Sequence, residues 1–170
     1  MNRWVAFLRS VNVGGTGKLP MAELARMCTD LGFEDVQTYI ASGNVLFSTG
    51  MSLQRARRAL EDRLAAYAGK PVKVFLRTPA ELKRVLDGNP FADRPAKYAV
   101  VIFLEEAPHP DAIQRAKGVA DEEMRLGERE IYVFYGEGMG RSKLRIPGAE
   151  AGTARNMNTI AKLVDMLADA

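Results

Sequence analysis

Two polar stretches of the chain hold most of the residues that could do chemistry, and both are rich in cations. Residues 1–18 contain three basic residues and no acid, and residues 141–162 contain five basic residues against Glu150 alone. The two stretches contribute net charges of +3 and +4, so the remainder of a chain whose total is +3 carries −4. Positive charge concentrated in this way favours a small anionic ligand or the backbone of a nucleic acid.

The first stretch combines glycines with a lysine in a loop between a predicted strand and a predicted helix. Residues 14–18 read Gly-Gly-Thr-Gly-Lys, which invites comparison with the phosphate-binding loop of nucleotide-binding proteins. That pattern requires glycine where Asn12 stands and serine or threonine where Leu19 stands, so the comparison fails. A weaker expectation remains, because close backbone approach at the glycines and a lysine beside a helix N-terminus both favour an anion.

A turn at residues 42–44 is expected beside this loop. The first two strands of the predicted N-terminal unit run parallel, so the loop after the first and the turn after the second lie at one edge of the sheet. Their convergence would form a cleft that suits a phosphate or a carboxylate. The residues predicted to bind a ligand there are Arg9, Asn12, Gly14, Gly15, Lys18, Ser42 and Asn44. A hairpin turn packed against a helix-capping loop stays open as the alternative.

The second stretch places a Gly-Arg-Ser-Lys-Leu segment, residues 140–144, before an amphipathic helix predicted from about Asn156 to Leu167. The first turn of that helix holds two asparagines and a threonine, which is more than helix capping requires. The residues predicted to bind a ligand in this stretch are Arg141, Ser142, Lys143, Arg155, Asn156 and Asn158. The alternative is that these side chains cap the helix and order the loop.

The residues that the chain lacks exclude several kinds of catalytic centre. His109 is the only histidine and lies between two prolines in a predicted surface loop, so neither a Ser-His-Asp triad nor a histidine-ligated metal is expected. Cys28, the only cysteine, falls on the apolar face of a predicted helix and is expected to pack in the core. We predict no metal site and identify neither a cofactor nor a general base. An enzyme that stabilises negative charge with Lys or Arg and a protein that only binds its ligand both stay open.

The elements that would position these residues define an α+β fold with mostly antiparallel sheets. The first 77 residues are predicted to form a ferredoxin-like βαββαβ unit, whose second helix directs Tyr67 inward. A capping box at residues 78–81 begins a third helix. The C-terminal half is predicted as a related βαββα unit, in which a helix at residues 111–119 follows the first strand.

Composition supports a globular chain with two subdomains. Its 170 residues are 47% hydrophobic and 26% charged, which allows one sizeable core or two small ones. Glycine, asparagine and prolines interrupt residues 88–95, so we predict one subdomain over 1–88 and a second over 89–170, packed closely on the first. No apolar run approaches the roughly 20 residues that span a bilayer, and a single cysteine needs no oxidising compartment. A cytoplasmic protein with no membrane partner is expected.

The polar stretches belong to a longer series of motifs that runs almost from end to end of the chain. These motifs are Leu8-Arg9, Asn12-Val13-Gly14-Gly15, Lys18, Met21, Leu24, Tyr39, Ser42-Gly43-Asn44-Val45, Asn89-Pro90-Phe91, Gly140-Arg141-Ser142-Lys143-Leu144, Thr153, Arg155-Asn156, Asn158-Thr159 and Lys162-Leu163. Taken together, they resemble a bacterial family of uncharacterised proteins, domain of unknown function 1697. The family motif usually has tryptophan where this chain has Met157, which puts any role for an aromatic stacking surface in doubt. The resemblance implies an α+β fold with two related subdomains and brings no established activity.

Three functions are consistent with these residues. The leading hypothesis is a protein that binds a small phosphate- or carboxylate-bearing ligand in a basic cleft lined by Gly, Asn and Ser. The second is nucleic-acid binding, which the pI of 9.1 supports and the lack of an aromatic RNA-recognition motif opposes. The third is a structural or partner-binding module whose polar motifs only fix loop geometry. The sequence predicts no oligomeric state.

Overall fold

A computed structural model describes residues 1–12 and 18–169 of the chain. The chain divides into two compact units, an N-terminal unit of Met1–Glu81 and a C-terminal unit of Leu82–Ala170. Each unit contains one four-stranded sheet in which every neighbouring pair of strands is antiparallel. The predicted α+β class with antiparallel sheets is therefore confirmed.

The N-terminal unit follows the predicted β-α-β-β-α-β order. Its sheet has the strand order β2-β3-β1-β4, which leaves β1 and β3 in the centre. A helix, α3, follows the last strand and extends past the end of the unit. The elements are β1 (Asn2–Leu8), α1 (Met21–Asp30), β2 (Glu34–Thr38), β3 (Asn44–Thr49), α2 (Leu53–Ala68), β4 (Val74–Arg77) and α3 (Pro79–Asp87).

Local signals in the sequence determine where these helices begin and end. The Ser52 hydroxyl accepts a hydrogen bond from the Arg55 amide at the start of α2, and Gly69, in the left-handed conformation, ends that helix. The predicted capping box at α3 is present. The Thr78 hydroxyl accepts a hydrogen bond from the Glu81 amide at 3.1 Å, and the Glu81 carboxylate accepts one from the Thr78 amide at 2.9 Å.

The core of the N-terminal unit lies between one face of the sheet and helices α1 and α2. The rings of Phe33 and Phe47 stack there with centroids 4.2 Å apart. Cys28 packs in the same cluster with no exposed surface, which is the placement that its helical spacing predicts. Burial raises the pKa of the Cys28 thiol to about 12, so the thiol stays protonated and unreactive at neutral pH.

The C-terminal unit has the strand order β6-β7-β5-β8. The strand at residues 153–156 lies directly before the final helix and is not predicted from the sequence. Its four residues, Thr-Ala-Arg-Asn, are mostly polar and do not show the pattern of a strand. Short 3-10 helices cover residues 96–98, 136–141 and 149–151. The main elements are β5 (Ala99–Phe103), β6 (Glu123–Leu126), β7 (Glu130–Phe134), β8 (Thr153–Asn156) and α4 (Met157–Ala168).

The prediction of a helix at residues 111–119 is wrong. The segment forms turns, although Ala112, Ile113 and Ala116 do pack against the core of this unit as a helical face would. Lys117 exchanges two backbone hydrogen bonds with Arg145 instead of continuing a helix. A tertiary pairing that is distant in sequence has therefore overridden the local helical pattern.

The two sheets share one strand order and one register. Val5 of β1 lies between Leu46 and Arg77 of its neighbours, and Val101 of β5 lies in the same way between Tyr132 and Arg155. In the N-terminal unit the buried Arg77 ends the fourth strand and Thr78 caps the next helix. In the C-terminal unit the buried Arg155 is the second-last residue of the fourth strand, and the last residue, Asn156, caps the next helix. Related subdomains, which the resemblance implied, are present at the level of strand order and register.

Across the described residues, no helix is both long enough and apolar enough to cross a membrane.

Candidate functional site

The loop after β1 and the turn before β3 are joined at one edge of the N-terminal sheet by the side chain of Asn12. Its amide nitrogen donates hydrogen bonds to the carbonyl oxygens of Leu19 and Ala41, both at 2.8 Å. Its amide oxygen accepts a hydrogen bond from the Leu19 amide at 2.6 Å. Both amide hydrogens of Asn12 are thereby used within the protein, so this residue positions the loop.

The turn itself is ordered by Asn44, which has no exposed surface. The Asn44 amide nitrogen donates to the Tyr39 carbonyl at 2.9 Å and to the Ser42 hydroxyl at 3.1 Å. Between them, Gly43 adopts a φ of +92°, and a Cβ atom at this position would lie 2.6 Å from Val11 Cγ2. The turn and the loop therefore fit together only with glycine at position 43.

Backbone strain is concentrated at this edge. Ser10 and Asn12 adopt left-handed conformations with φ of 58° and 55°, and Ile40 in the neighbouring turn has φ of 53°. Left-handed φ is uncommon for any residue other than glycine, and for a β-branched residue such as isoleucine it is a genuine outlier. Strained residues of this kind concentrate at binding and catalytic sites, where the surrounding structure maintains them.

A cavity of about 300 Å³ opens beside the loop, at the C-terminal end of α2. Its floor is apolar, and two lysines, a serine and a tyrosine supply its polar groups. Neither lysine ammonium is bonded to another group within residues 1–12 and 18–169. We call this space the N-terminal cavity, and its lining residues are Ser10, Val11, Lys18, Leu19, Leu64, Tyr67, Ala68, Lys70 and Val72.

Among the described residues of the predicted N-terminal set, Lys18 alone lines this cavity. Arg9 is half-buried, and its backbone amide donates to the Lys73 carbonyl, while the side chains of Asn12, Ser42 and Asn44 take part in the bonds given above. The predicted Gly14 and Gly15 lie outside the described residues.

Sequence reasoning missed Tyr67 and Lys70 as site residues. Tyr67 is predicted to point into the core, but 44% of it is exposed at the last turn of α2. The feature of the sequence that could have identified Lys70 is its position directly after Gly69, the glycine that ends α2.

The C-terminal unit has its own cavity of about 330 Å³. Three of the predicted residues, Ser142, Arg155 and Asn156, line it, whereas Arg141, Lys143 and Asn158 are exposed outside it. Lys97 and Tyr135 also contribute and were not predicted. We call this space the C-terminal cavity, and its lining residues are Lys97, Val100, Tyr135, Met139, Ser142, Leu144, Ala154, Arg155 and Asn156.

Ser142 ties its loop to the buried carboxylate of Glu122. The serine hydroxyl donates to the Glu122 carboxylate and accepts a hydrogen bond from the Leu144 amide at 3.2 Å. The carboxylate also accepts a hydrogen bond from the Ala120 amide at 2.7 Å. These hydrogen bonds lower the pKa of the Glu122 carboxyl below its usual value, and the bond from Ser142 contributes most.

The other two predicted residues that line the C-terminal cavity, Arg155 and Asn156, also form hydrogen bonds within the protein. Arg155 is buried, and its guanidinium donates to the Thr153 hydroxyl at 2.8 Å and to the Ala154 carbonyl at 2.9 Å. Burial lowers the pKa of Arg155 to about 10, which leaves it charged at neutral pH. The Asn156 side chain accepts a hydrogen bond from the Thr159 amide and caps α4, which is the alternative role considered for it.

Removal of the Ser142 hydroxyl tests its bond to Glu122. The S142A variant is expected to lose about 1–2 kcal/mol of unfolding free energy at neutral pH, the contribution of a hydrogen bond to a charged group. A lowered folded-state pKa stabilises the fold above the ordinary value of 4.5, and this contribution is lost as pH falls through the folded value. In urea unfolding, the stability difference between S142A and the wild type should therefore be largest at about pH 7 and should shrink as the pH falls below 4.5, and a loss that is independent of pH would contradict the assignment. S142T, which keeps the hydroxyl, is the control.

In the part of the chain that the structure describes, no three His, Cys, Asp or Glu residues lie close enough to hold a metal ion. His109 is exposed, as predicted, and its ring nitrogen contacts the Asp111 carboxylate.

Comparison with known proteins places the chain in a family. Residues 1–132 match the family model described as a protein of unknown function, DUF1697. No curated protein matches the chain. Among solved structures, the chain is similar to the conserved bacterial protein SP0830 from Streptococcus pneumoniae, with 27% identity, a TM-score of 0.78 and coverage of 97% of this chain and 98% of that one. The family match covers well over half of the residues, so this chain belongs to the DUF1697 family.

Proposed function

We propose that the protein binds a small phosphate- or carboxylate-bearing molecule in the N-terminal cavity. The observation that carries the proposal is the pair of lysines, Lys18 and Lys70, on the wall of a cavity of about 300 Å³ with an apolar floor. Neither ammonium has a partner among the described residues, so both are available to an anionic group that binds in the cavity.

Free polar groups distinguish this cavity from the C-terminal one. In the C-terminal cavity Ser142, Arg155 and Asn156 already form hydrogen bonds within the protein, and Lys97 lies 5.0 Å from the centre of the Tyr98 ring. A ligand that used Ser142, Arg155 or Asn156 would compete with bonds that stabilise the fold. In the N-terminal cavity the lysines would gain bonds without breaking any that the structure describes.

The floor of the cavity indicates what the anionic group is attached to. Val11, Leu19, Leu64 and Val72 supply apolar surface, and the Tyr67 ring adds an aromatic wall. A cavity near the small end of the range for ligand sites accommodates a compact molecule. The chemistry therefore favours an anion joined to a small apolar or aromatic body over a free inorganic ion.

The residues that line the N-terminal cavity favour binding of a ligand over catalysis by proton transfer. No His, Cys, Asp or Glu lies among its lining residues, so it contains no general base that titrates near neutral pH. The lysines can stabilise negative charge in a bound molecule, and this electrostatic contribution is the chemistry that the wall offers.

Titration calorimetry with phenyl phosphate tests the proposal, because this probe joins an anion to a compact aromatic body. We expect measurable binding by the wild type and about a tenfold weaker affinity for each of K18Q and K70Q, which is the loss of roughly one charge-assisted hydrogen bond. The control is R55Q, which removes one positive charge at the opposite end of α2, about 18 Å along the helix from Tyr67. Equal weakening by all three variants, or no binding by the wild type, would overturn the proposal.

A further inference from the structure

A short antiparallel bridge in the C-terminal unit pairs two cations directly. The Lys117 amide donates to the Arg145 carbonyl and the Arg145 amide to the Lys117 carbonyl, both at 2.8 Å. Residues paired in this way project their side chains to the same side. Lys117 and Arg145 are both exposed, so the bridge holds two like charges side by side at the surface.

A third cation joins them from the same segment. Leu144 and Ile146 pack against the core of the unit, while Lys143 and Arg145 are exposed, so the segment alternates as an extended chain does. Lys143 therefore projects to the same side as Arg145, about 7 Å further along the chain. We call the three residues Lys117, Lys143 and Arg145 the basic ridge.

A glycine makes this arrangement possible. Gly118 has a φ of +70°, and a Cβ atom there would lie 2.2 Å from the carbonyl oxygen of Lys143. The two segments that carry the ridge thus approach more closely than any other residue at position 118 would allow. Their approach is a built feature of the fold.

The positive charge of the basic ridge is not neutralised by any other residue that the structure describes. No side chain of the three forms a hydrogen bond or an ion pair with another residue in the described part of the chain. Like charges placed directly opposite each other on paired strands destabilise the pairing. An external anion that contacts all three would relieve this repulsion.

We propose that the basic ridge binds the phosphate backbone of duplex nucleic acid without reading its sequence. The ridge lines neither cavity, so it is separate from the site proposed for the small molecule. Its three exposed cations follow one another along the surface, an arrangement that suits an extended polyanion. Duplex DNA offers a dense and regular array of negative charge, at one charge per roughly 1.7 Å of its axis. The ridge has no aromatic residue on which bases could stack, which leaves backbone contact as the mode of binding.

Binding of fluorescently labelled, random-sequence duplex DNA by the full chain, measured over a series of salt concentrations, tests this proposal. We expect the K117Q/K143Q/R145Q variant to bind at least tenfold more weakly at low salt. The slope of log affinity against log salt should fall by about 3, because each lost phosphate contact removes about 0.9. The matched control, R55Q/R58Q/K162Q, removes the same charge from exposed positions on helices α2 and α4 and should change the affinity less than twofold.

A second variant keeps every charge and changes only geometry. G118A should weaken DNA binding severalfold by separating the two segments, whereas G50A should not, because a Cβ atom at Gly50 meets nothing within 4 Å. The K18Q and K70Q variants of the N-terminal cavity should bind DNA normally, so this proposal and the small-ligand proposal can fail separately.

Three results would overturn the proposal. The first is equal weakening by the ridge and control triple variants, which would mean that net charge alone attracts DNA. The second is the absence of salt-dependent DNA binding by the wild type. The third is ridge-dependent binding to vesicles that contain phosphatidylserine, or to polyglutamate, without binding to DNA.

Discussion

Replacing Gly43 by alanine is expected to destabilise the protein by about 3 kcal/mol, because a left-handed backbone and an overpacked contact each contribute roughly 1–2 kcal/mol. Gly43 has φ of +92°, and the added methyl group would lie 2.6 Å from Val11 Cγ2 and 3.0 Å from Leu8 Cβ. For a chain of this length the melting temperature should fall by roughly 6–12 °C in a calorimetric scan.

A substitution at Gly32 distinguishes the conformational cause of the G43A destabilisation from the packing cause. It has φ of +88°, but a Cβ atom there would meet nothing within 4 Å, so G32A should show the conformational penalty of roughly 1 kcal/mol alone. If G43A and G32A had the same melting temperature, the close packing of the turn against the loop after β1 would be refuted.

Replacing Asn12 by alanine is expected to have an effect of similar size. The substitution removes the hydrogen bonds to Leu19 and Ala41 and forces alanine into a φ of 55°. Three lost hydrogen bonds, together about 1–2 kcal/mol after partial replacement by water at this half-buried site, and about 1 kcal/mol for the left-handed conformation of alanine indicate a loss of roughly 2–3 kcal/mol. Because Asn12 positions the loop beside Lys18, the affinity for phenyl phosphate should also fall.

Asn12→Gly is the matched variant, since glycine tolerates the left-handed conformation and lacks the side chain. N12G should recover only the conformational part of the loss, roughly 1 kcal/mol, and should remain less stable than the wild type in urea unfolding. Full recovery in N12G would show that the hydrogen bonds of Asn12 contribute little to holding the loop against the turn.

Most of the N-terminal fold could be predicted from sequence because its signals are local. The β-α-β-β-α-β order, the capping box at Thr78 and the buried placement of Cys28 each depend on residues a few positions apart. Such patterns survive folding because the tertiary structure agrees with them.

The errors in the C-terminal half have the opposite cause. Residues 111–119 carry a helical pattern but form turns, since Lys117 pairs with Arg145, 28 positions away. Strand β8 is held by its register with β5, where Arg155 lies opposite Val101. Neither pairing leaves a mark in the local sequence.

The candidate site was predicted only in part for a similar reason. Polar residue types and strand order were sufficient to bring the loop after β1 to the turn at residues 42–44. They could not show that Asn12 and Asn44 use their amide hydrogens within the protein, which leaves Lys18 as the predicted residue that lines the cavity. Lys70 and Tyr67 join it through the position at which α2 ends.

The most direct test of ligand binding in the N-terminal cavity is an amide chemical-shift titration of the labelled protein with phenyl phosphate. We expect saturable shifts that are largest at Ser10, Lys18, Tyr67 and Lys70 and small throughout the C-terminal unit, with these shifts greatly reduced in K18Q/K70Q. Shifts centred on Lys97 and Tyr135 of the C-terminal cavity, or non-saturating shifts spread over the exposed cations of both units, would contradict the assignment of the site.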